Sequence, residues 1–262
     1  MPLGLKGVNS VPKPSPGIMP ASKSKIAWIA SFIVYFLVMH AILIGSLSDW
    51  NIIGRIRNGL GIKNSELTSY YHTLLAFHLR IDPVLRQNTL VFIGDSLIQG
   101  LCVTCVADRS VNYGIGRDTT FGVLNRIRQY RSLNHARAVI LSIGINDVAI
   151  RTDDEIIHNY NDIIRMIPGG VHVIANSILP VDEKECSLSA RNNERIGGLN
   201  QKILSLTREY PNCFFLNLTS ELVDESANLK AEYHIGDGVH LNTVGNLVWI
   251  KAIRKKLEQV EK

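Results

Sequence analysis

Four short stretches of the chain hold residue types suited to moving an acyl group. In Val91-Phe92-Ile93-Gly94-Asp95-Ser96-Leu97, an apolar run ends at a glycine and a serine stands at the turn. A serine so placed can present its hydroxyl at a sheet edge, near the positive end of the next helix, as a nucleophile. The alternative is a helix-capping serine. In Asn112-Tyr113-Gly114-Ile115-Gly116-Arg117-Asp118-Thr119-Thr120, a glycine-bearing turn with exposed backbone N–H groups can serve an oxyanion. It lacks the third glycine of a dinucleotide fingerprint and the lysine of a phosphate loop. In Ser142-Ile143-Gly144-Ile145-Asn146-Asp147, the Asn146 amide is a natural oxyanion donor, or else a turn residue. Near the C-terminus, Asp237 lies three residues before His240. A carboxylate there can accept from Nδ1–H of the imidazole and leave Nε2 to take a serine proton. His234, Asp237 and His240 also have metal-ligand types, but no cysteine or third histidine lies close in sequence, so a metal is not expected.

Groups so far apart in sequence need a scaffold that gathers them. From Thr89 onward, short apolar runs alternate with longer amphipathic ones, the mark of a parallel sheet with crossover helices. Strands are expected at Thr89–Ile93, Ser110–Tyr113, Ala138–Ser142, Val171–Asn176 and Phe214–Leu218. Helical spacing covers Thr120–Leu133, Asp154–Ile167, Ala190–Glu209 and Thr243–Gln259. Asp153, Asp154 and Glu155 suit a helix N-terminus, and Pro168-Gly169-Gly170 ends that helix. The expected fold is α/β: a three-layer α/β/α domain of about five parallel strands, with function gathered beyond their carboxyl ends.

Together, and in this order, the four stretches resemble the SGNH hydrolases, also called the GDSL esterase/lipase superfamily. The blocks are Gly94-Asp95-Ser96-Leu97, the Asn112–Thr119 turn, Gly144-x-Asn146-Asp147 and Asp237-x-x-His240, and the resemblance covers about residues 89–258. They do not form the nucleophile elbow of α/β-hydrolases, because Ile98 stands where its second glycine belongs. The resemblance implies a flavodoxin-like fold and acyl transfer without metal or organic cofactor. Ser96 would attack an ester carbonyl, His240 accept its proton and Asp237 orient the imidazole. Ser96 and Gly116 or Arg117 would supply backbone N–H groups to the oxyanion, with the Asn146 amide. Gly94, Asp95, Gly144 and Asp147 would support these groups. The second block departs from the family pattern: Arg117 stands where the donating glycine usually does, crowding the pocket mouth or offering a cation to an anionic substrate. Two other activities stay open, an O-acyltransferase of the same fold working on an envelope polysaccharide, and a non-catalytic binding module.

The 262 residues carry a net charge of +5 and 46% hydrophobic residues, so the chain as a whole is neither disordered nor a coiled coil. The charge is unevenly placed. Residues 1–25 have four lysines and no acid, residues 49–88 five bases and three acids, and residues 89–262 nineteen bases and twenty acids. A nearly neutral domain excludes nucleic acid as the expected partner. Between the two basic segments, residues 26–48 are 23 consecutive residues without Asp, Glu, Lys or Arg, with Trp28 and Trp50 near the ends. About 20 apolar residues cross a bilayer, and a cleaved signal peptide has a shorter apolar region. The expectation is one uncleaved anchor in the inner membrane, with the N-terminus cytoplasmic and the domain on the periplasmic side. His40 within it is read as a tolerated imidazole. The sequence so divides into a Pro/Gly/Ser-rich tail over 1–25, an anchor over 26–48, an amphipathic connector over 49–88 and a hydrolase-like domain over 89–262. The connector would lie along the membrane or pack on the domain as an ordinary helix. The expected partners are the bilayer and an ester of the cell envelope. Cys102, Cys105, Cys186 and Cys213 permit two disulfides outside the cytoplasm, or are buried thiols. The acidic loop 180–190 is read as a solvated border of the site.

Overall fold

The structure is a computed structural model that describes residues 23–47, 66–187 and 192–262. The chain divides into two units, Met1–Asn64 and Ser65–Lys262. In the first, helix α1 runs Lys23–Leu47, 25 residues, and its side chains from Trp28 to Met39 are largely exposed. His40 turns its Nδ1 to the carbonyl of Phe36, 2.9 Å away on its own helix. Side chains are described only over residues 28–40 of α1. Among the described residues no helix is long and apolar enough to cross a membrane. The expected tail over 1–22 and the connector's apolar positions Ile52, Ile53, Ile56 and Leu60 lie outside the described residues.

The second unit is a five-stranded parallel sheet. Its strands are β1 (Leu90–Gly94), β2 (Ser110–Gly114), β3 (Ala138–Ser142), β4 (His172–Asn176) and β5 (Cys213–Leu216), in the order β2-β1-β3-β4-β5. Every residue of β1 and β3 is buried, which requires cover on both faces and explains why these strands read as unbroken apolar runs rather than alternating ones. The covering helices include α2 (Ser69–Ile81), the short α3 (Ser96–Gln99), α4 (Thr120–Ile127), α5 (Asp153–Met166), α6 (Asn193–Thr207), α7 (Thr219–Leu222) and α8 (Thr243–Val260). This is the expected three-layer α/β/α architecture. The chain leaves β1 toward β2 on one edge and returns to β3 on the other side of β1, so the strand order reverses there. The carboxyl ends of β1, β2 and β3 thus border one crevice.

Local chemistry places the helix starts. Thr152 and Glu155 form a reciprocal capping box at α5, and Asn242 caps α8 by accepting from the N–H groups of Val244 and Gly245. The expected helix over Thr120–Leu133 stops at Ile127 and becomes a 3₁₀ turn at Arg131–His135. There the buried Asp82 carboxylate takes the N–H groups of Arg131 and Ser132, an alternative to helical partners. The fifth strand ends at Leu216, earlier than expected, because Ser177 Oγ takes the Leu218 N–H and Asn217 Oδ1 that of Thr219.

The domain boundary expected at residue 89 is displaced: the compact unit begins at Ser65. Helix α2 belongs to it, burying Tyr71, Leu75 and His78 against the core. Its Tyr71 hydroxyl donates to the Gly122 carbonyl of α4 at 2.8 Å. Of the two readings for the connector, the part within α2 is the packed helix.

Candidate active site

Ser96 opens α3 immediately after β1. Gly94 lets it do so, since a Cβ at that position would lie 2.0 Å from the Ser142 carbonyl oxygen and 2.5 Å from Ile98 Cγ1. Asp95, buried, caps the turn by accepting the Leu97 N–H at 2.9 Å. The helix that follows has only four residues, so the helix dipole expected at Ser96 is small, and the local N–H groups carry what field there is.

Ser96 Oγ lies 2.9 Å from His240 Nε2, although 144 residues separate them. On the far side of the ring, His240 Nδ1 lies 2.5 Å from Asp237 Oδ2. A carboxylate only accepts, so Nδ1 carries the hydrogen, Nε2 is the acceptor and the serine hydroxyl donates to it. Asp237 Oδ1 takes the backbone N–H groups of Val239 and His240, at 3.0 and 2.9 Å, which closes the turn that sets the ring. Burial raises the Asp237 pKa, but the bonds from the His240 ring and these two N–H groups outweigh it and hold the carboxyl below its usual range. The arrangement can pass a proton from Ser96 to an imidazole whose cationic form is stabilised from behind.

The other two blocks are laced to each other. The Asn146 amide donates to the Asp118 carbonyl at 2.9 Å. Asp147, fully buried, accepts from Thr120 Oγ1 at 2.6 Å, from the Thr120 N–H and from Arg151. Burial pushes the Asp147 carboxyl up to about 6, opposed by the Thr120 bonds and the Arg151 charge. Gly144 precedes them at φ +121, a backbone region that side chains rarely adopt, with Ile178 2.8 Å from where a Cβ would stand.

The backbone N–H of Gly116, one of two expected oxyanion donors, is already given to Gln99 Oε1 at 2.6 Å, and the same Gln99 side chain bonds the Tyr70 hydroxyl from its nitrogen. Gly116 is therefore withdrawn as a donor. Arg117 comes next, at φ +65, and its N–H has no partner among the described residues. A left-handed backbone is the physical reason for a glycine at this position, and here an arginine adopts it.

A cavity of about 650 Å³ joins these groups. Ser96, His240, Asp237, Asn146, Gly116 and Arg117 all line it, and so do Thr68 and Tyr70, Ile145 and Val239, and Cys186 and Ser187. Thr68 and Tyr70 come from the segment expected to be a connector, and Cys186 and Ser187 from the acidic loop. That loop is not simply solvated. Asp182 is buried, its N–H donates to the Gly238 carbonyl at 2.8 Å, and its carboxylate lies 3.5 Å from the buried His234. His234 Nδ1 in turn accepts the N–H groups of Gly236 and Gly238, on either side of Asp237. It braces the Asp237–His240 turn; among the described residues no group of three metal-binding side chains occurs.

Beneath the site lies a group that periodicity could not distinguish. Arg126 is completely buried, giving two bonds to Asp118 Oδ2 at 2.8 and 3.0 Å, one to the Gly94 carbonyl and one to the Tyr130 hydroxyl. In sequence it is one more basic residue on an amphipathic helix. The cysteines split: Cys102 and Cys105 form a disulfide just past α3, while Cys213 is a buried thiol in β5 whose pKa burial pushes up to about 12.

The profile of the GDSL-like Lipase/Acylhydrolase family matches residues 92–248. No curated protein matches the sequence. Among solved structures, a Streptococcus pneumonia protein provisionally assigned as a platelet activating factor is similar at 25% identity and a TM-score of 0.67, over 72% of this chain and 92% of that one. A GDSL-like lipase from Bacteroides thetaiotaomicron is similar at 21% identity and 0.62, over 71% and 97%. An acetylxylan esterase from Geobacillus stearothermophilus shares the fold at 17% identity and 0.55, over 65% and 94%. The profile covers more than half of the chain and spans all four blocks, from β1 to α8, so the chain belongs to the GDSL-like lipase/acylhydrolase family and is an SGNH-type enzyme that acts on ester bonds.

Proposed function

We propose that this protein is a membrane-anchored serine esterase that cleaves a carboxylic ester of the cell envelope, an O-acetylated glycan or a lipid-type ester, by a Ser-His-Asp mechanism. One observation carries the reading: the continuous hydrogen-bonded line from Ser96 through His240 to Asp237 at the wall of a 650 Å³ cavity. Ser96 Oγ forms a bond to the ester carbonyl carbon as its proton passes to His240 Nε2. The oxyanion takes the backbone N–H groups of Ser96 and Arg117 and a hydrogen of the Asn146 amide. The carbon–oxygen bond to the alcohol then breaks, and the alcohol leaves with the proton from His240. Water adds to the acyl-serine as His240 takes one of its protons, the Ser96–acyl bond breaks, and Ser96 Oγ recovers that proton as the acid departs.

The anchor is inferred from the charge-free run over residues 26–48 and from the four lysines that precede it. It would hold the domain at the outer face of the inner membrane, which favours an envelope substrate. The test is hydrolysis of p-nitrophenyl acetate and longer p-nitrophenyl esters by the full chain beside Ser96→Ala and His240→Ala. Each variant is expected to lose on the order of 10⁴–10⁶ in kcat while melting like the parent. Turnover that survives in Ser96→Ala removes the serine mechanism. The chain-length preference separates an acetyl ester from a lipid-type one.

A further inference from the structure

We infer that the substrate carries an anionic group within reach of the scissile carbonyl and that the Arg117 guanidinium recognises it; this rests on the esterase reading and names the class of ester. Three arginines surround the turn after β2, and they are used differently. Arg126 is buried and paired with Asp118, and Arg151 is held between Asp147 and Glu66. Both are committed to the scaffold. Arg117 is exposed at the cavity wall, and it makes no ion pair or hydrogen bond among the described residues. It is also the cavity's only Lys or Arg there. The one acid among the residues that line the cavity, Asp237, is engaged by the His240 ring and two backbone N–H groups. The cavity wall therefore presents a cation without an ion-pair partner of its own among the described residues, in the same cavity as Ser96.

The backbone makes this position unusual. At φ +65 a glycine would sit without strain, and any other residue costs about 1 kcal/mol or more. No ion pair or hydrogen bond of its side chain among the described residues offsets this. A residue that costs stability at a cavity wall is the pattern of a binding group. A guanidinium offers a planar fork of donors that matches a carboxylate or phosphate.

The experiment compares matched pairs of esters. On the alcohol side the pair is O-acetyl glucose and O-acetyl glucuronate; on the acyl side it is p-nitrophenyl acetate and p-nitrophenyl hemisuccinate. The full chain is expected to favour the anionic member of one pair by about tenfold in kcat/KM, less so as salt is raised. The pair that shows the preference tells which side of the ester carries the charge. In Arg117→Gln the ratio falls toward one, whatever happens to the absolute rate, and Arg117→Lys restores part of it. Arg117→Gly should lose the ratio too, yet melt higher. Hydrolysis of the neutral esters with no anionic preference in either pair overturns the inference and leaves the esterase reading standing. If no ester is hydrolysed, calorimetric binding of glucuronate and succinate decides it. Binding that needs Arg117 keeps the anion site and removes the esterase reading, and absence of binding removes both.

Discussion

The two sides of the cavity that holds Ser96 and His240 are built from different materials. One side, the turns after β1, β2 and β3, rests on buried charge: Arg126 under Gly94 and Asp118, and Asp147 under Thr120. The other side, the turn bearing Asp237 and His240, is half-exposed and tied mainly through backbone N–H groups and the buried His234. The groups we assign to proton transfer thus lie where substrate and water reach them. The groups that cannot tolerate loss of a partner lie beneath the side we assign to the oxyanion. The lesson is a division of labour: changes on the exposed side should affect rate with little effect on stability, and changes beneath the other side should affect stability first.

The strongest test of that division is Asp237→Asn. An amide can still take the backbone N–H groups but cannot impose the Nδ1–H tautomer, so kcat is expected to fall about 10⁴-fold with the melting temperature nearly unchanged. A large loss of stability would break the comparison. Next in size is Arg126→Met, which leaves the Asp118 carboxylate buried without its cationic partner. Denaturant unfolding should show a loss of about 3–5 kcal/mol, and a loss under 1 kcal/mol would mean that the buried pair does not support the floor. Asn146→Ala lies between the two classes, because its amide both holds the Asp118 carbonyl and faces the cavity. It should cost about 10²–10³ in kcat, with a smaller loss of stability from the missing bond.

The subtlest effect concerns Asp147. Its folded-state carboxyl lies at about 6, above that of an unfolded aspartate, so the folded state holds the proton more tightly. The resulting contribution, about 3 kcal/mol, is fully present below about pH 4 and is lost as pH rises through 6. Asp147→Asn keeps an acceptor for Thr120 but cannot titrate. Its unfolding free energy should fall less between pH 4 and 6 than that of the parent, and an identical slope would show that Asp147 is not the group responsible.

Much was legible before any fold was known, and the reasons are local. The strands announced themselves because β1 and β3 are buried on both faces, which demands apolar residues throughout. The first three blocks were readable because each lies within a few residues of a strand end, and the fourth, in the loop before α8, because Asp237 and His240 are three residues apart. The oxyanion turn was less so. That Gly116 has already given its N–H to Gln99 depends on a side chain 17 residues away, and no spacing rule reports it. The connector stayed open between two readings for a related reason: amphipathic spacing shows that a helix has an apolar face without saying what covers it. For α2 the cover is the domain itself.

By itself, then, the sequence determined the class of fold and the family and put forward Ser96, Asp237, His240 and Asn146 as candidates, because these follow from periodicity and short motifs. Only the tertiary structure decided the order of the strands, the burial of Arg126, the bracing of the Asp237–His240 turn by Asp182 and His234, and the share of the cavity wall supplied by Tyr70 and Cys186. Each of these depends on which surfaces meet. A residue's type limits the partners it can take, but chain closure over tens of residues chooses among them.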